Sequence, residues 1–210
     1  LTNAVPLRNE VEAQDATTLG NATRVNKAGL RTAAASIQGY FDADPYDAAL
    51  FASLGTSNKV ITVANSSTEG DPAYFFKSMI GNYSPSGSVG EMFGFSLEGA
   101  GAGDMVRGTL MENNTAVTAT ADGTGRQLGA VTSGQKMYAA LHVLTADGTS
   151  PTLDVVIESD DNSGFSSAAT RITFTQMTGV GSQILSTDGA VTDDYWRATY
   201  TVGGTSPSFD

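Results

Sequence analysis

The sequence predicts a mainly β protein in two parts. An N-terminal β-sandwich or barrel with one short helix, over about 45–54, precedes a C-terminal antiparallel β-sandwich of Ig-like or jelly-roll-like build. Three observations predict this. Charged residues make up only 16% and glycines number 24, a small-residue composition suited to short strands and tight turns, where about 25% charged is usual. Only one segment reads as a helix. From about residue 115 onward, turn residues recur every 8–12 residues or so, the spacing of an antiparallel sandwich.

The N-terminal elements follow in order. "LTNAVPLRNEVEAQDATTLGNATRV" begins strand-like and becomes polar, and "KAGLRTAAASIQGYFDA" continues it. Together they read as a long loop or hairpin arm and then a strand. The helix is "DPYDAALFASLG". Asp44 is placed to cap it, Pro45 sits where a missing N–H costs nothing, Asp47 complements the dipole and Gly55 supplies a left-handed stop. Leu50 and Leu54 share a face with Tyr46. "KVITVANSS" is a β-branched strand. "DPAYFFKSMIGNYSPSG" reads as a strand covered on both faces. Further strands run from Met92 to Leu97 and from Val106 to Met111, with the glycine-rich "EGAGAGDMVRG" between them as a flexible hairpin loop. A soft domain boundary falls near 112–120, at "ENNTAV", giving domains of 1–115 and 116–210.

In the second domain, strands are expected in "AVTATAD", "RQLGAV", "QKMYAALHVLTAD", "PTLDVVIESDD", "ATRITFTQM", "SQILSTDG" and "DDYWRATYTV". A heptapeptide occurs twice here, "GTSPTLD" at 148–154 and "GTSPSFD" at 204–210. Each reads as a glycine turn followed by Ser-Pro, which sets an extended strand start. By that reading Leu153, Val155 and Ile157 line one face. Phe209 would open a further strand whose remainder is missing from the chain.

The net charge is −11, spread evenly. Residues 1–115 hold 12 acidic and 7 basic side chains (−5), and residues 116–210 hold 10 and 4 (−6). Such a chain repels nucleic acid, because phosphate affinity comes from Lys and Arg. Cysteine is absent, which excludes disulfides and thiolate metal sites. No apolar run approaches the ~18 residues of a membrane-spanning helix, so membrane insertion by a helix is not expected. The start "LTNAVPLRNE" has neither an initiator Met nor a basic-then-apolar leader. It reads as a start from which residues are missing.

Candidate chemistry is sparse. His142 alternates with Leu141 and Val143 in a strand, and no second His or Cys accompanies it. "ESDDNSGF" offers Asp160, Asp161 and Asn162 as oxygen ligands, but its Gly164 falls out of step with a calcium loop, so an Asx-type turn is the better reading. Asp193 and Asp194 precede the single Trp196. Neighbours on a strand point to opposite faces, which separates the two carboxylates. Trp196 is then a core residue or, as the alternative, a glycan contact. "GAGAGD" lacks the strand–turn–helix setting of a nucleotide loop. No catalytic set, cofactor or metal site is expected, and the chain reads as a non-enzyme.

From "VEAQDATTLGNATRVNKAGLRTAAASIQGYFD" through "PYDAALFASLG" and "KVITVAN" to "AYFFKSMIGNYSPSGSVGEMFGFSLEGAGAGDMVRGTL", the order of motifs resembles the major tail protein, or tail tube protein, of long-tailed, non-contractile bacteriophages. The C-terminal part looks like the β-sandwich that follows it in some members. The resemblance implies a tail-tube-type N-terminal domain. It implies self-association into stacked rings, commonly hexameric, with other tail proteins as partners. DNA would pass through the lumen unbound, in a virion tail assembled in the host cytoplasm. It makes the arm the candidate subunit contact, with Glu12, Asp15, Thr17, Thr18, Leu19 and Arg24 as its residues, and puts the second domain outside as a decoration. Two other classes remain as alternatives: a carbohydrate-binding or adhesin module centred on Trp196, and a capsid decoration protein.

Overall fold

The computed structural model describes residues 2–42, 47–114 and 116–210. The chain is mainly β, as its composition and turn spacing predict. It divides into two compact units, Leu1–Val63 with Phe75–Val106, and Ala64–Tyr74 with Arg107–Asp210.

In the first unit, β1 (Thr2–Ala4) and β2 (Leu7–Asp15) both pair antiparallel with β3 (Asn26–Tyr40). The sheet continues through β6 (Gly94–Gly101), β5 (Pro72–Ser86) and β4 (Lys59–Ala64). The start of β5, residues 72–74, and β7 (Val106–Thr109) from Arg107 on, which pairs with β5, belong to the second unit. A small core of Ala33, Ala35, Ile61 and Phe76 is flanked by Leu7, Val63 and Met105. Three expectations need correction here. Beyond Phe75, β5 is covered on one face only: Phe76, Ser78 and Ile80 are buried while Lys77 and Met79 are exposed. The expected strand from Met92 starts later, at Gly94, and runs on through Gly101. The glycine-rich segment is therefore largely strand, because glycine is needed there for close approach: a Cβ on Gly99 would collide with Ser78 and lie 2.8 Å from Ile61 Cδ1.

The helix is α1 (Ala48–Ala52), shorter than 45–54. Asp44, Pro45 and Tyr46 lie outside the described residues. Asp47 stands at the N-cap but makes no side-chain capping bond. Its Oδ1 accepts the Tyr83 hydroxyl at 2.7 Å instead. Leu50 and Leu54 form no buried face, since α1 buries no residue and Leu54 is exposed. Gly55 ends the turn at φ +75°, as expected of a left-handed stop.

In the second unit, β11 (Ala146–Asp160) pairs antiparallel with β12 (Ala169–Thr173) on one side and β14 (Tyr195–Phe209) on the other. Two very short strands, β8 (Ala121–Asp122) and β9 (Arg126–Gln127), pair with β14. A separate pair, β10 (Lys136–Val143) and β13 (Gly181–Asp188), forms the smaller sheet. Alternate residues of β11 and β14 bury Leu153, Val155, Ile157, Trp196 and Ala198 into one core with Val143, Ile172, Phe174 and Phe209. Met137, Ala139 and Leu141 of β10 pack on that core, so it lies between the two sheets.

The repeated heptapeptide is not a pair of strand entries. "GTSPTLD" lies within β11, and "GTSPSFD" closes β14, pairing with the first copy. Phe209 is 1% exposed and completes the core rather than opening a further strand.

Candidate assembly surface

The most distinctive feature of the first unit is the β2–β3 hairpin. β3 pairs with β6 only from Ala34 to Tyr40. Its first half, with β2, forms a ribbon in which Leu7↔Ala35 runs out to Asp15↔Asn26. Residues 8–15 and 26–32 are exposed except Gly29. A two-stranded ribbon with both faces in water is marginal by itself. Its apolar side chains stand in solvent: Val11 is 48% exposed, Leu30 79% and Leu19 106%.

Each candidate contact residue falls on this arm. Glu12 sits at a register irregularity between Val11 and Ala13. Asp15, Thr17 and Arg24 order the tip. Asp15 Oδ1 accepts the Thr17 hydroxyl at 2.5 Å and the Thr17 amide at 2.9 Å, and Arg24 Nε lies 3.2 Å from Asp15 Oδ2. The Val25 amide donates to Thr17 Oγ1 at 2.9 Å, and the Ala16 amide to the Val25 carbonyl at 2.8 Å. The Thr17 hydroxyl and then its amide hold the Asp15 carboxyl below the ordinary range. Thr18 Oγ1 accepts from Asn21 Nδ2 at 3.2 Å. Leu19 makes no core contact and projects into solvent. The sequence marks this tip as polar but hides that Asp15 and Thr17 tie it together.

Charge separates the arm from the rest. Residues 7–33 carry Arg8, Arg24, Lys27 and Arg31 against Glu10, Glu12 and Asp15, a net +1 within a chain of −11, which leaves −12 elsewhere.

The other candidates resolve as structure. Trp196 is 1% exposed and its Nε1 donates to the Gly129 carbonyl at 2.9 Å. No glycan reaches it without opening the sheet, so its reading as a glycan contact is corrected. Asp193 and Asp194 serve separate networks. Asp193 Oδ2 accepts from Ser159 Oγ at 2.6 Å and Arg171 at 2.8 Å, and the Asp194 carbonyl accepts the Leu128 and Gly129 amides at 2.9 and 3.0 Å. Asp160 is 1% exposed and organises the "DDNSG" loop through the amides of Asn162 at 3.1 Å and Ser167 at 2.8 Å, an Asx-type arrangement. Burial pushes its carboxyl up, but the Ser167 amide and its neighbours outweigh that and hold it below the ordinary range. His142 faces Ser182 across the β10–β13 pair, and burial pushes its imidazole down. Among the described residues, no group of three or more His, Asp or Glu side chains is placed to hold a metal. A cleft of 290 Å³ between the ends of β3, β5 and β6 has Tyr40, Met92 and Phe95 on its wall, and no carboxylate, histidine or cation lines it.

No family model matches the chain, and no curated protein matches it. Solved structures similar to the chain include two phage-like particle proteins. One is from the virion of a native gene transfer agent particle, 18% identical over 51% of this chain and 84% of that one, with a TM-score of 0.38. The other is the Dit hub protein of phage SPP1, 10% identical over 100% of this chain and 91% of that one, also with a TM-score of 0.38. Both scores fall below 0.5, so neither likeness carries an argument about this chain.

Proposed function

We propose that the chain is a structural subunit of a bacteriophage tail, joining copies of itself into stacked rings around a channel that passes DNA. The observation that carries this is the β2–β3 ribbon, ordered at its tip yet uncovered on both faces. Beside it stands the motif order of residues before 115. A ribbon of this kind gains stability when a neighbour covers it. Full burial of Leu19 or Leu30 contributes about 1.5–3 kcal/mol each. The neighbour of fitting charge is a second copy, because a +1 arm meets a −12 remainder. Repetition of one such contact around an axis is a head-to-tail interface, which closes into a ring when the rotation permits. Strand ends joined across subunits would also cover sheet edges that invite indiscriminate pairing. A net negative charge suits a conduit in which DNA must slide, because it gives phosphate little overall attraction.

Negative-stain microscopy and sizing of the purified protein test the reading. Rings or stacked tubes are expected, and Lys27→Glu/Arg31→Glu is expected to abolish them while leaving a folded monomer. A protein that stays monomeric at every concentration and salt, and is absent from the tails of virions, overturns it.

A further inference from the structure

The two heptapeptides occupy equivalent places on either side of a local twofold. Thr149 faces Thr205 at the centre. Exchange of 148–154 with 204–210 turns the pair Ala146↔Phe209 into Val202↔Leu153, and Asp147↔Ser208 into Gly203↔Thr152, and all four pairs are present. The backbone obeys the same symmetry. Gly148 and Gly204 have φ of +108° and +106°, and Ser150 and Ser206 have +49° and +50°. Each glycine lies under the other copy's Ser-Pro peptide. A Cβ on Gly148 would stand 2.5 Å from the Ser206 carbonyl oxygen and 3.0 Å from Pro207 Cα, and one on Gly204 would stand 2.6 Å from the Ser150 oxygen and 3.0 Å from Pro151 Cα.

The register shows what this does. From Asp147↔Ser208 to Thr149↔Thr205 the chain advances two residues on β11 and three on β14. From there to Thr152↔Gly203 it advances three on β11 and two on β14. Each strand therefore carries one extra residue, five steps on each in total, and the register is the same on both sides. One bulge alone would shift the pairing by a residue and turn every later side chain to the wrong face. Two opposed bulges cancel in register but shift the alternation of both strands together. On one side the core-facing residues are Leu153, Val155 and Ile157 with Trp196 and Ala198, and on the other they are Ala146 and Phe209. Were the same residues to run as regular strands with no bulge, Asp147 and Ser208 would face the core in their place.

We propose that the two G-T-S-P segments are one device, a twin-bulge lock that switches the facing of β11 and β14 in concert and so seats Phe209 in the core. The lock is a property of the second unit and stands apart from the tail assignment. Its signature is coupling. Gly148→Ala and Gly204→Ala should each lower the urea midpoint, and the two together should lower it by clearly less than the sum, because either one opens the shared lock. Deletion of Thr149 or of Thr205 alone leaves one uncompensated bulge and should destabilise strongly. Deletion of both restores register and facing and should recover much of the lost midpoint, short of wild type because Pro151 and Pro207 then enter a regular ladder. Additive alanine losses, or a double deletion no more stable than either single one, overturn the proposal.

Discussion

At the scale of single residues, the second unit is held by side chains whose partners are far away in sequence. Trp196 fills the core and spends its one donor on Gly129. Trp196→Ala should cost about 3–5 kcal/mol by leaving a cavity, read as a lowered denaturation midpoint. Asp193, two residues before β14, ties that segment to β11 and β12 through Ser159 and Arg171. The Ser159 hydroxyl and then the Arg171 guanidinium hold its carboxyl below the ordinary range. A depressed carboxyl stabilises the fold above its unfolded pKa, and that contribution is lost as pH falls through the folded value. Asp193→Asn should therefore cost about 1–2 kcal/mol near pH 7. The gap to wild type should close as pH drops below about 4, which urea midpoints across a pH series would show. Alternation in the sequence separates Asp193 from Asp194 and makes Trp196 a core candidate. It could not show Arg171 as the partner, because that pairing exists only after β12 has docked on β11.

At the scale of elements, what was legible follows from local physics. β4, β10 and the body of β11 alternate or branch at Cβ as strands do, and a hairpin arm was expected where β2 and β3 stand. Elements set by distant neighbours were not legible. The strands expected in "AVTATAD" and "RQLGAV" shrink to β8 and β9, two-residue edges whose extent is set by β14. The glycines of β6 read as a loop because close approach to Ser78 and Ile61 leaves no local mark. The heptapeptides read as turns because each bulge is made by the other copy. One element divides within itself: β3 is flanked on both sides from Ala34 onward but only by β2 before it. Local opening follows that difference. In the free chain, amides of 26–33 should exchange with solvent faster than those of 34–40, and assembly should slow the first set selectively. Equal exchange along β3 would show that the ribbon is not a separate opening unit.

At the scale of the whole molecule, charge sets the terms of association. Subunits of net charge −11 repel one another at long range, while the basic arm attracts a neighbour only at short range. Salt screens both, but with a Debye length of about 30 Å at 0.01 M and about 8 Å at 0.15 M it removes the long-range repulsion first. Contacts made at close approach, partly desolvated and supported by Val11, Leu19 and Leu30, are screened less. Self-assembly should therefore be weaker at about 0.01 M salt than at about 0.15 M, and should decline again near 1 M only if the arm's ion pairs, rather than its apolar side chains, carry the contact. Light scattering across that salt series, repeated with Leu19→Ser/Leu30→Ser, separates the two contributions. The same charge predicts that duplex DNA added to the protein causes no anisotropy change at 0.15 M salt. Tight DNA binding would contradict a conduit through which the genome must slide.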